Sequence, residues 1–195
     1  MANWLEYFGV VTGLIYLGLE IVKHRAMWVV GFVTSFVYIF VFFFSKFYAD
    51  MSLNIYYVCI SIYGFWQWQN KDKVNHRCEV DILYRHWDLK LILGIGIVTA
   101  LLWLGMYLIL SRYTDSPLPA GDAFTTALSI TATWMLARRI LEHWGCWMIV
   151  NGVSAVLYYQ RGLYPTCFLF LCYGFLAIVG WINWKRKGIL YDKEI

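Results

Sequence analysis

Long apolar runs separated by short polar clusters dominate the pattern along this chain. An α-helix of about 20 apolar residues crosses the roughly 30 Å hydrocarbon core of a bilayer and satisfies its own backbone hydrogen bonds there. Seven runs are long enough to do so, at about residues 4–22, 28–45, 48–69, 88–111, 120–137, 144–160 and 163–184. The pattern therefore predicts an all-α membrane protein with seven transmembrane helices.

Two of these boundaries rest on particular residues. The apolar run from 28 to 69 is divided at Ser45-Lys46-Phe47, where a basic residue interrupts it. The fifth run is rich in Thr and Ser, but Pro117 and Pro119 break the chain before it. Asp122 follows them and is a residue type that caps helix N-termini.

The composition supports the same class of protein. Hydrophobic residues make up 61% of the 195 residues and charged residues 14%, against roughly 25% charged in a typical soluble domain. A soluble protein of this size cannot hide so much apolar surface, so we expect a lipid bilayer around it. The net charge of +4 lies in clusters beside the apolar runs. That distribution fits membrane topology and excludes a nucleic acid partner.

Lys and Arg residues are distributed very unevenly between the two sides of the predicted membrane. Thirteen of them follow the first, third, fifth and seventh runs, whereas the opposite side has only Lys46, Arg112 and Arg161. Loops rich in Lys and Arg stay in the cytosol. We therefore expect a multi-pass protein of the plasma (inner) membrane, with its N-terminus outside and its C-terminus in the cytosol.

An internal repeat links the two halves of the chain. A shift of 116 residues superposes identical residues in two segments: Trp28 on Trp144, Tyr48 on Tyr164, Tyr57 on Tyr173, Gly64 on Gly180 and Trp68 on Trp184. The shift spans an even number of runs, so the repeats run in the same direction, a plan of transporters with a substrate site near the midplane between repeats. We predict a first triple-helix bundle (1–69), a cytosolic loop and linker helix (70–111), a second bundle (112–184) and a cytosolic tail (185–195).

The sixth run presents a polar and aromatic face. Its members follow the spacing i, i+3, i+7, i+10, which places them on one side of a helix: Trp144, Trp147, Asn151 and Ser154. Small and polar residues often only hold helices together. Indoles, however, stack well on flat rings, and a nearby amide reads a ring's polar edge. These residues are therefore predicted to bind a substrate.

Two further faces are candidates for the same site. Asn54, Tyr57 and Ser61 form one in the third run, and Glu20 lies well inside the first run. Glu20 either pairs with Lys23 or His24 near the membrane surface, or faces a cavity. A carboxylate facing a cavity favours a cationic ligand or carries a proton.

Several chemistries have no signature in this chain. There is no GxxxxGK[ST] loop for a nucleotide, no GxSxG elbow and no HExxH helix. The four histidines have no metal-ligand spacing. We therefore expect no metal, no cofactor and no enzymatic activity, and we see no built-in energy source.

Two motifs resemble the PnuC-type vitamin transporter family, the nicotinamide riboside transporters. One is Tyr48-Ala49-Asp50 through Asn54 with the segment 61–68; the other is Arg138-Arg139 with Trp-x-x-Trp-x-x-x-Asn at 144–151, then Gly162-Leu163-Tyr164. The resemblance implies a SWEET-like 3+1+3 fold of parallel triple-helix bundles joined by a linker helix. It also implies facilitated diffusion of an unphosphorylated vitamin, which a cytosolic kinase traps by phosphorylation.

The resemblance leaves the substrate open. Nicotinamide riboside is slightly favoured, thiamin is carried by other members, and riboflavin is a third option. Asn54 stands where nicotinamide riboside transporters often have a glutamine, and Leu169 where a glutamate can occur. A SWEET-type sugar carrier is a second hypothesis, and a scaffold without a ligand is another. The oligomeric state is open, a homo-oligomer included.

Overall fold

Seven α-helices follow one another along the part of the chain that this computed structural model describes, residues 2–44, 48–78, 83–84, 89–114, 117–160, 162, 164–187 and 189–190. They are α1 (Ala2–Ile21), α2 (Ala26–Phe44), α3 (Tyr48–Cys78), α4 (Leu89–Tyr113), α5 (Pro119–Ala137), α6 (His143–Gln160) and α7 (Tyr164–Lys187). Two short strands, β1 (Leu83–Tyr84) and β2 (Ile189–Leu190), were not predicted. The seven predicted helices are confirmed.

The helix ends differ from the predictions in two places. Helix α3 continues to Cys78, nine residues past the end of its apolar run at 69, because helical hydrogen bonding does not require an apolar sequence. Helix α5 begins at Pro119, so Asp122 lies inside its first turn and does not cap it; Leu118 is the N-cap and makes no side-chain capping bond. The predicted division at 45–47, and residues 79–82, 85–88 and 191–195, lie outside the described residues.

Two of the described helices contain a stretch that is long and apolar enough to cross a membrane by length and hydropathy. These stretches are Ile92–Tyr113 in α4 and Cys167–Arg186 in α7. Shorter apolar stretches are Val11–Ile21 in α1 and Ala26–Val41 in α2. The remaining helices carry more polar atoms, as the sequence of the fifth run anticipated.

The chain divides into two compact units, Met1–Leu83 and Tyr84–Ile195. In the first unit, α2 packs against both α1 and α3. In the second unit, α4 packs against α5, α5 against α6, and α6 against α7. The predicted division into two bundles, a linker and a tail stays a prediction.

In the second unit, α4 joins its neighbour α5 through one stripe of residues. The hydroxyls of Thr99 and Thr131 are 2.9 Å apart and share a hydrogen bond. Near the other end of the contact, the indole N–H of Trp103 donates to the carbonyl oxygen of Ala120 at 3.1 Å. Most other side chains of α4 are exposed and apolar, Leu101 at 65% among them, as suits a helix surrounded by lipid.

Each unit contains a pair of fully buried tryptophans. In the first, Trp28 on α2 meets Trp68 on α3 edge to face, with ring centroids 6.1 Å apart and planes at 78°. A Cβ at Gly64 would lie only 2.6 Å from the Trp28 ring. Glycine is therefore required there, because only its missing side chain lets the indole approach the helix backbone.

The second unit repeats this arrangement 116 residues later. Trp144 on α6 meets Trp184 on α7 at 6.0 Å and 80°, and the ring of Trp144 fills the space where Gly180 lacks a side chain. All four indoles are at most 1% exposed. One pair therefore holds α2 against α3, and the other holds α6 against α7.

The turns after α1 and α5 also match. Lys23 and Arg139 both have a left-handed backbone, with φ of 62° and 58°. The amide of His24 donates to Leu19 O at 2.8 Å and that of Ile140 to Met135 O at 3.0 Å. This six-residue bond closes a helix in a Schellman motif, whose left-handed position is usually glycine. A basic residue there costs roughly 1 kcal/mol of backbone strain.

Candidate functional site

Helix α6 holds its predicted face between two neighbours, α5 and α7. The four residues follow the helical period, and the structure keeps three of them buried: Trp144, Asn151 and Ser154. Trp147 is half-buried. The face therefore exists as predicted, but its members do not have the same surroundings.

Trp144 belongs to the packing of α6 on α7. Its side chain is 1% exposed and contacts Gly180 and Trp184. The His143 ring lies 4.8 Å from it, centroid to centroid. Neighbouring rings and the α7 backbone therefore cover this indole, which leaves little of its surface for a ligand.

Trp147 lies on the opposite flank of the same face. Its ring packs against a cluster made of Ala132 and Met135 of α5, Ile140 of the turn between α5 and α6, and Cys146 of α6. Unlike Trp144, it keeps part of its surface exposed. The indole N–H is buried and has no hydrogen-bond partner among the described residues, as is also true of Trp28 and Trp144. A half-exposed indole supported from one side can stack on a flat ring from the other.

Two buried polar groups continue the face beyond Trp147. Asn151 is 6% exposed, and so is Ser154. A Cβ placed on Gly174 of α7 would lie 3.6 Å from the Cβ of Asn151, so α7 passes close to the base of this side chain. One turn further, Tyr158 stacks on Phe170 of α7, with centroids 5.1 Å apart. Asn151 and Ser154 thus offer polar groups in an apolar setting, which is how specific ligand sites are built.

The first unit contains the other predicted residues. Ser61 and Glu20 are buried, at 4% and 3% exposure, while Asn54 and Tyr57 are half-buried. A buried carboxylate is costly unless it interacts with other groups, and Glu20 does have such an interaction. It follows Tyr16 by four residues on α1, and Ser61 follows Tyr57 by four residues on α3, so each pair lies on one side of its helix. These residues make up one polar neighbourhood, because Tyr16 and Ser61 meet at the same glycine of α2.

Gly31 on α2 is the point where this neighbourhood closes. A Cβ on Gly31 would lie 3.1 Å from the ring of Tyr16 and 3.3 Å from the hydroxyl oxygen of Ser61. The glycine thus brings a residue of α1 and a residue of α3 to the same spot on α2. Sequence analysis did not connect Tyr16 with Gly31, because the contact depends on how α1 packs against α2.

Two polar residues near the turn between α5 and α6 are completely buried, which sequence analysis did not predict. Arg139 and His143 are both 0% exposed. His143 Nδ1 lies 2.7 Å from the carbonyl oxygen of Ile140, and its ring packs against Trp144 and Trp184. The 116-residue repeat pairs Arg139 with Lys23. That pairing was the one sign in the sequence that Arg139 belongs to a structured turn. Among the described residues no three His, Cys, Asp or Glu side chains are grouped to hold a metal ion.

Comparison with known proteins gives a family match over nearly the whole chain. The sequence model of the nicotinamide mononucleotide transporter family matches residues 3–186. The nicotinamide riboside transporter PnuC of Escherichia coli (strain K12) is 23% identical over 210 residues, which cover 95% of this chain and 87% of that protein. The riboflavin/roseoflavin transporter RibM of Streptomyces davaonensis is 25% identical over 193 residues, covering 95% of this chain and 86% of RibM.

A solved structure shares the fold. The crystal structure of the vitamin B3 transporter PnuC aligns with a TM-score of 0.70 at 21% sequence identity. The alignment covers 94% of this chain and 81% of that chain. The arrangement of seven helices is therefore one that a vitamin transporter adopts.

Proposed function

Since this chain belongs to the nicotinamide mononucleotide transporter family, a family of transporters and not of enzymes, we propose that it carries an unphosphorylated vitamin across the plasma (inner) membrane. The substrate we propose is nicotinamide riboside, and the mode of transport is facilitated diffusion. The relatives that are named nicotinamide riboside transporters align with 94–95% of the length of this chain.

The observation that carries this proposal is the uneven α6 face. Trp147 keeps part of its indole exposed, and the buried Asn151 and Ser154 follow it on the same side of the helix. In this proposal Trp147 stacks on the pyridinium ring, and Asn151 and Ser154 bind polar groups of the substrate. Trp144 holds the face in place through its contact with Gly180. Within the first unit, we propose Asn54, Tyr57, Ser61 and Glu20 as a second, separate substrate-binding face.

The distribution of positive charge favours an unphosphorylated substrate. In none of the seven described helices does a Lys or Arg interrupt the apolar part. A phosphate group adds about −1.5 to −2 charges at neutral pH, and an uncompensated charge inside the membrane costs several kcal/mol. The phosphorylated vitamin is therefore retained in the cytosol, and a cytosolic kinase supplies the driving force by consuming the free vitamin.

We extend the proposal to the architecture and orientation. The two tryptophan pairs and the two left-handed turns recur at a shift of 116 residues, and so do the bounds of α2 and α6 to within one residue. These correspondences support a SWEET-like 3+1+3 plan of parallel repeats in which α4 is the linker helix. The bias of Lys and Arg supports an N-terminus outside and a C-terminus in the cytosol.

Riboflavin is the second candidate substrate, because RibM is as similar to this chain as the nicotinamide riboside transporters are. The buried carboxylate of Glu20 favours the cationic nicotinamide riboside over the neutral riboflavin. Thiamin is also an aromatic cation and stays an alternative. A SWEET-type sugar carrier is disfavoured, because an uncharged sugar gains nothing from Glu20.

Calorimetry with the purified full-length protein in lipid nanodiscs separates these candidates. Nicotinamide riboside, thiamin, riboflavin and glucose are titrated in turn, with nicotinamide mononucleotide as the phosphorylated control. We expect the tightest binding for nicotinamide riboside and none for the mononucleotide. Tightest binding of riboflavin would make the protein a flavin carrier, and binding of the mononucleotide would contradict the charge argument.

A further inference from the structure

The contact between α1 and α2 in the first unit corresponds to the contact between α5 and α6 in the second unit. The two contacts differ in which helix supplies an aromatic ring. At a shift of 116 residues, Tyr16 corresponds to Ala132 and Gly31 corresponds to Trp147. In the first unit the ring belongs to α1, and Tyr16 lies against Gly31 of α2. In the second unit the ring belongs to α6, and Trp147 lies against a cluster that includes Ala132 of α5. The aromatic ring and the small residue have therefore exchanged helices between the two units.

This exchange gives Tyr16 the same kind of support that Trp147 has. Tyr16 lies against a residue without a side chain, and Trp147 lies against a cluster of buried residues. Both rings remain half-buried, with part of their surface exposed. The surroundings of Tyr16 are more polar, because the hydroxyl of Ser61 lies at the same glycine. Glu20 follows Tyr16 by four residues and so lies on the same side of α1.

We propose that Tyr16 is a substrate-contacting residue of the first unit, and that Tyr16 together with Glu20 selects a flat cationic ring over a neutral one. The proposal rests on the proposed function. The face of a phenol ring attracts a cation, and a carboxylate nearby adds to that attraction. A neutral ring of similar shape stacks on Tyr16 but gains nothing from the charge of Glu20. Nicotinamide riboside is the cationic probe, and riboflavin is the neutral probe.

The first experiment changes Tyr16 itself and measures binding of both probes in nanodiscs. We expect Tyr16→Leu to weaken nicotinamide riboside binding by about tenfold, within the range of a desolvated cation–π contact, and riboflavin binding by less. Tyr16→Phe keeps the ring and therefore retains more affinity than Tyr16→Leu. Tyr159→Leu is the matched control, because Tyr159 is 63% exposed on α6 and outside both faces.

The second experiment moves the ring without removing it. A methyl group at Gly31 would press on the Tyr16 ring and the Ser61 hydroxyl at 3.1 and 3.3 Å, so Gly31→Ala displaces at least one of them. We expect a severalfold loss of nicotinamide riboside affinity. Gly18→Ala is the control on α1, where an added Cβ meets nothing within 4 Å, and its affinity should equal that of the unmodified protein.

The third experiment tests the charge. Glu20→Gln keeps the size and shape of the side chain, and we expect it to weaken nicotinamide riboside binding severalfold while leaving riboflavin binding within twofold. A thermal unfolding curve accompanies each variant. If Tyr16→Leu does not fold, Gly31→Ala and Glu20→Gln decide the matter, because both keep the Tyr16 ring.

The outcomes distinguish a failure of the proposed function from a failure of this inference. Absence of vitamin binding by the unmodified protein overturns the proposed function and this inference together. Normal binding by the unmodified protein, with equal affinity in the folded Tyr16→Leu or Gly31→Ala variant, overturns the inference alone. Equal losses of both probes in Glu20→Gln overturn the selection of a cation.

Discussion

Trp144 and Trp184 meet edge to face, with ring centroids 6.0 Å apart and planes at 80°. Trp28 and Trp68 repeat this geometry in the first unit. Because Trp28 is not part of the Trp-x-x-Trp-x-x-x-Asn motif, the shared geometry points to a packing role for both pairs. We therefore assign Trp144 to helix packing, and in the site that we propose the stacking surface is Trp147, three residues further along α6.

The first prediction concerns stability. Trp144→Ala leaves a large cavity between α6 and α7, and truncation of a buried tryptophan costs about 3–5 kcal/mol. Both Trp144→Ala and Trp28→Ala should therefore lower the unfolding temperature in detergent, and by similar amounts, because the two indoles match in burial and in the geometry of their partner rings. If both variants unfold at the temperature of the unmodified protein, the packing role is wrong.

The second prediction concerns binding. Trp147→Ala should weaken vitamin binding by about 1–3 kcal/mol, the range measured when an aromatic ring that stacks on a base is removed. Its unfolding temperature should fall by less than that of Trp144→Ala, because Trp147 is only half-buried. Trp66→Ala serves as the control, because Trp66 on α3 is 58% exposed and belongs to none of the proposed faces. Calorimetry that gives the same affinity for Trp147→Ala and the unmodified protein rejects the α6 face as a binding site.

The third prediction concerns two glycines. Gly64→Ala and Gly180→Ala each place a methyl group into the ring of Trp28 or Trp144, and overpacking of this kind costs about 1–3 kcal/mol. Gly152→Ala is the matched control, since a Cβ there meets nothing within 4 Å. Alanine is the better helix former by about 1 kcal/mol, so the control should be neutral or slightly stabilising. Thermal unfolding in one detergent compares all three variants.

The fourth prediction concerns orientation. A reporter that matures only in the cytosol should be active when fused to the C-terminus, because Lys and Arg residues gather on that side. The same reporter at the N-terminus should be inactive. Activity in the reverse pattern would mean that the orientation we propose is inverted.

The fifth prediction concerns energetics. Vesicles that contain only the purified protein should take up labelled nicotinamide riboside until the inside and outside concentrations are equal. Adding a nicotinamide riboside kinase and ATP inside should turn that plateau into continuing accumulation. Uptake above equilibrium that is driven by an imposed pH gradient, and is lost in Glu20→Gln, would show proton symport instead.

The sequence predicted the helices well, because each of them contains a mostly apolar run that is bounded by polar residues. Among the described helices, only α4 and α7 contain a stretch that is apolar over the full length of a span. The sequence missed the extension of α3 to Cys78, because beyond the apolar run nothing in the pattern separates a polar helix from a loop. The sequence also placed Trp144 and Trp147 on one face of α6, and their angular positions around the helix axis agree with that prediction. Periodicity gives the direction of a side chain but not what fills the space in that direction, and here Trp184 covers only one of the two indoles.

The same limit applies to the first unit. Gly31, Tyr16 and Ser61 come from three helices, and their meeting depends on the packing of α1 and α3 on α2. The repeat brought more information than any single motif, since it pairs Lys23 with Arg139 and Gly64 with Gly180. A repeated glycine is a sign of close packing that one occurrence alone does not give.

The contact of each buried indole with a glycine also constrains how the gene can change. Every single-base change in a glycine codon that alters the amino acid gives a residue with a Cβ or a stop codon. At Gly64 and Gly180 each of those residues presses on a tryptophan. Tryptophan has only one codon, so base changes there always replace the indole as well. We therefore expect the glycine and the tryptophan of each unit to change together during evolution. A relative that has replaced one of them should also have replaced the other.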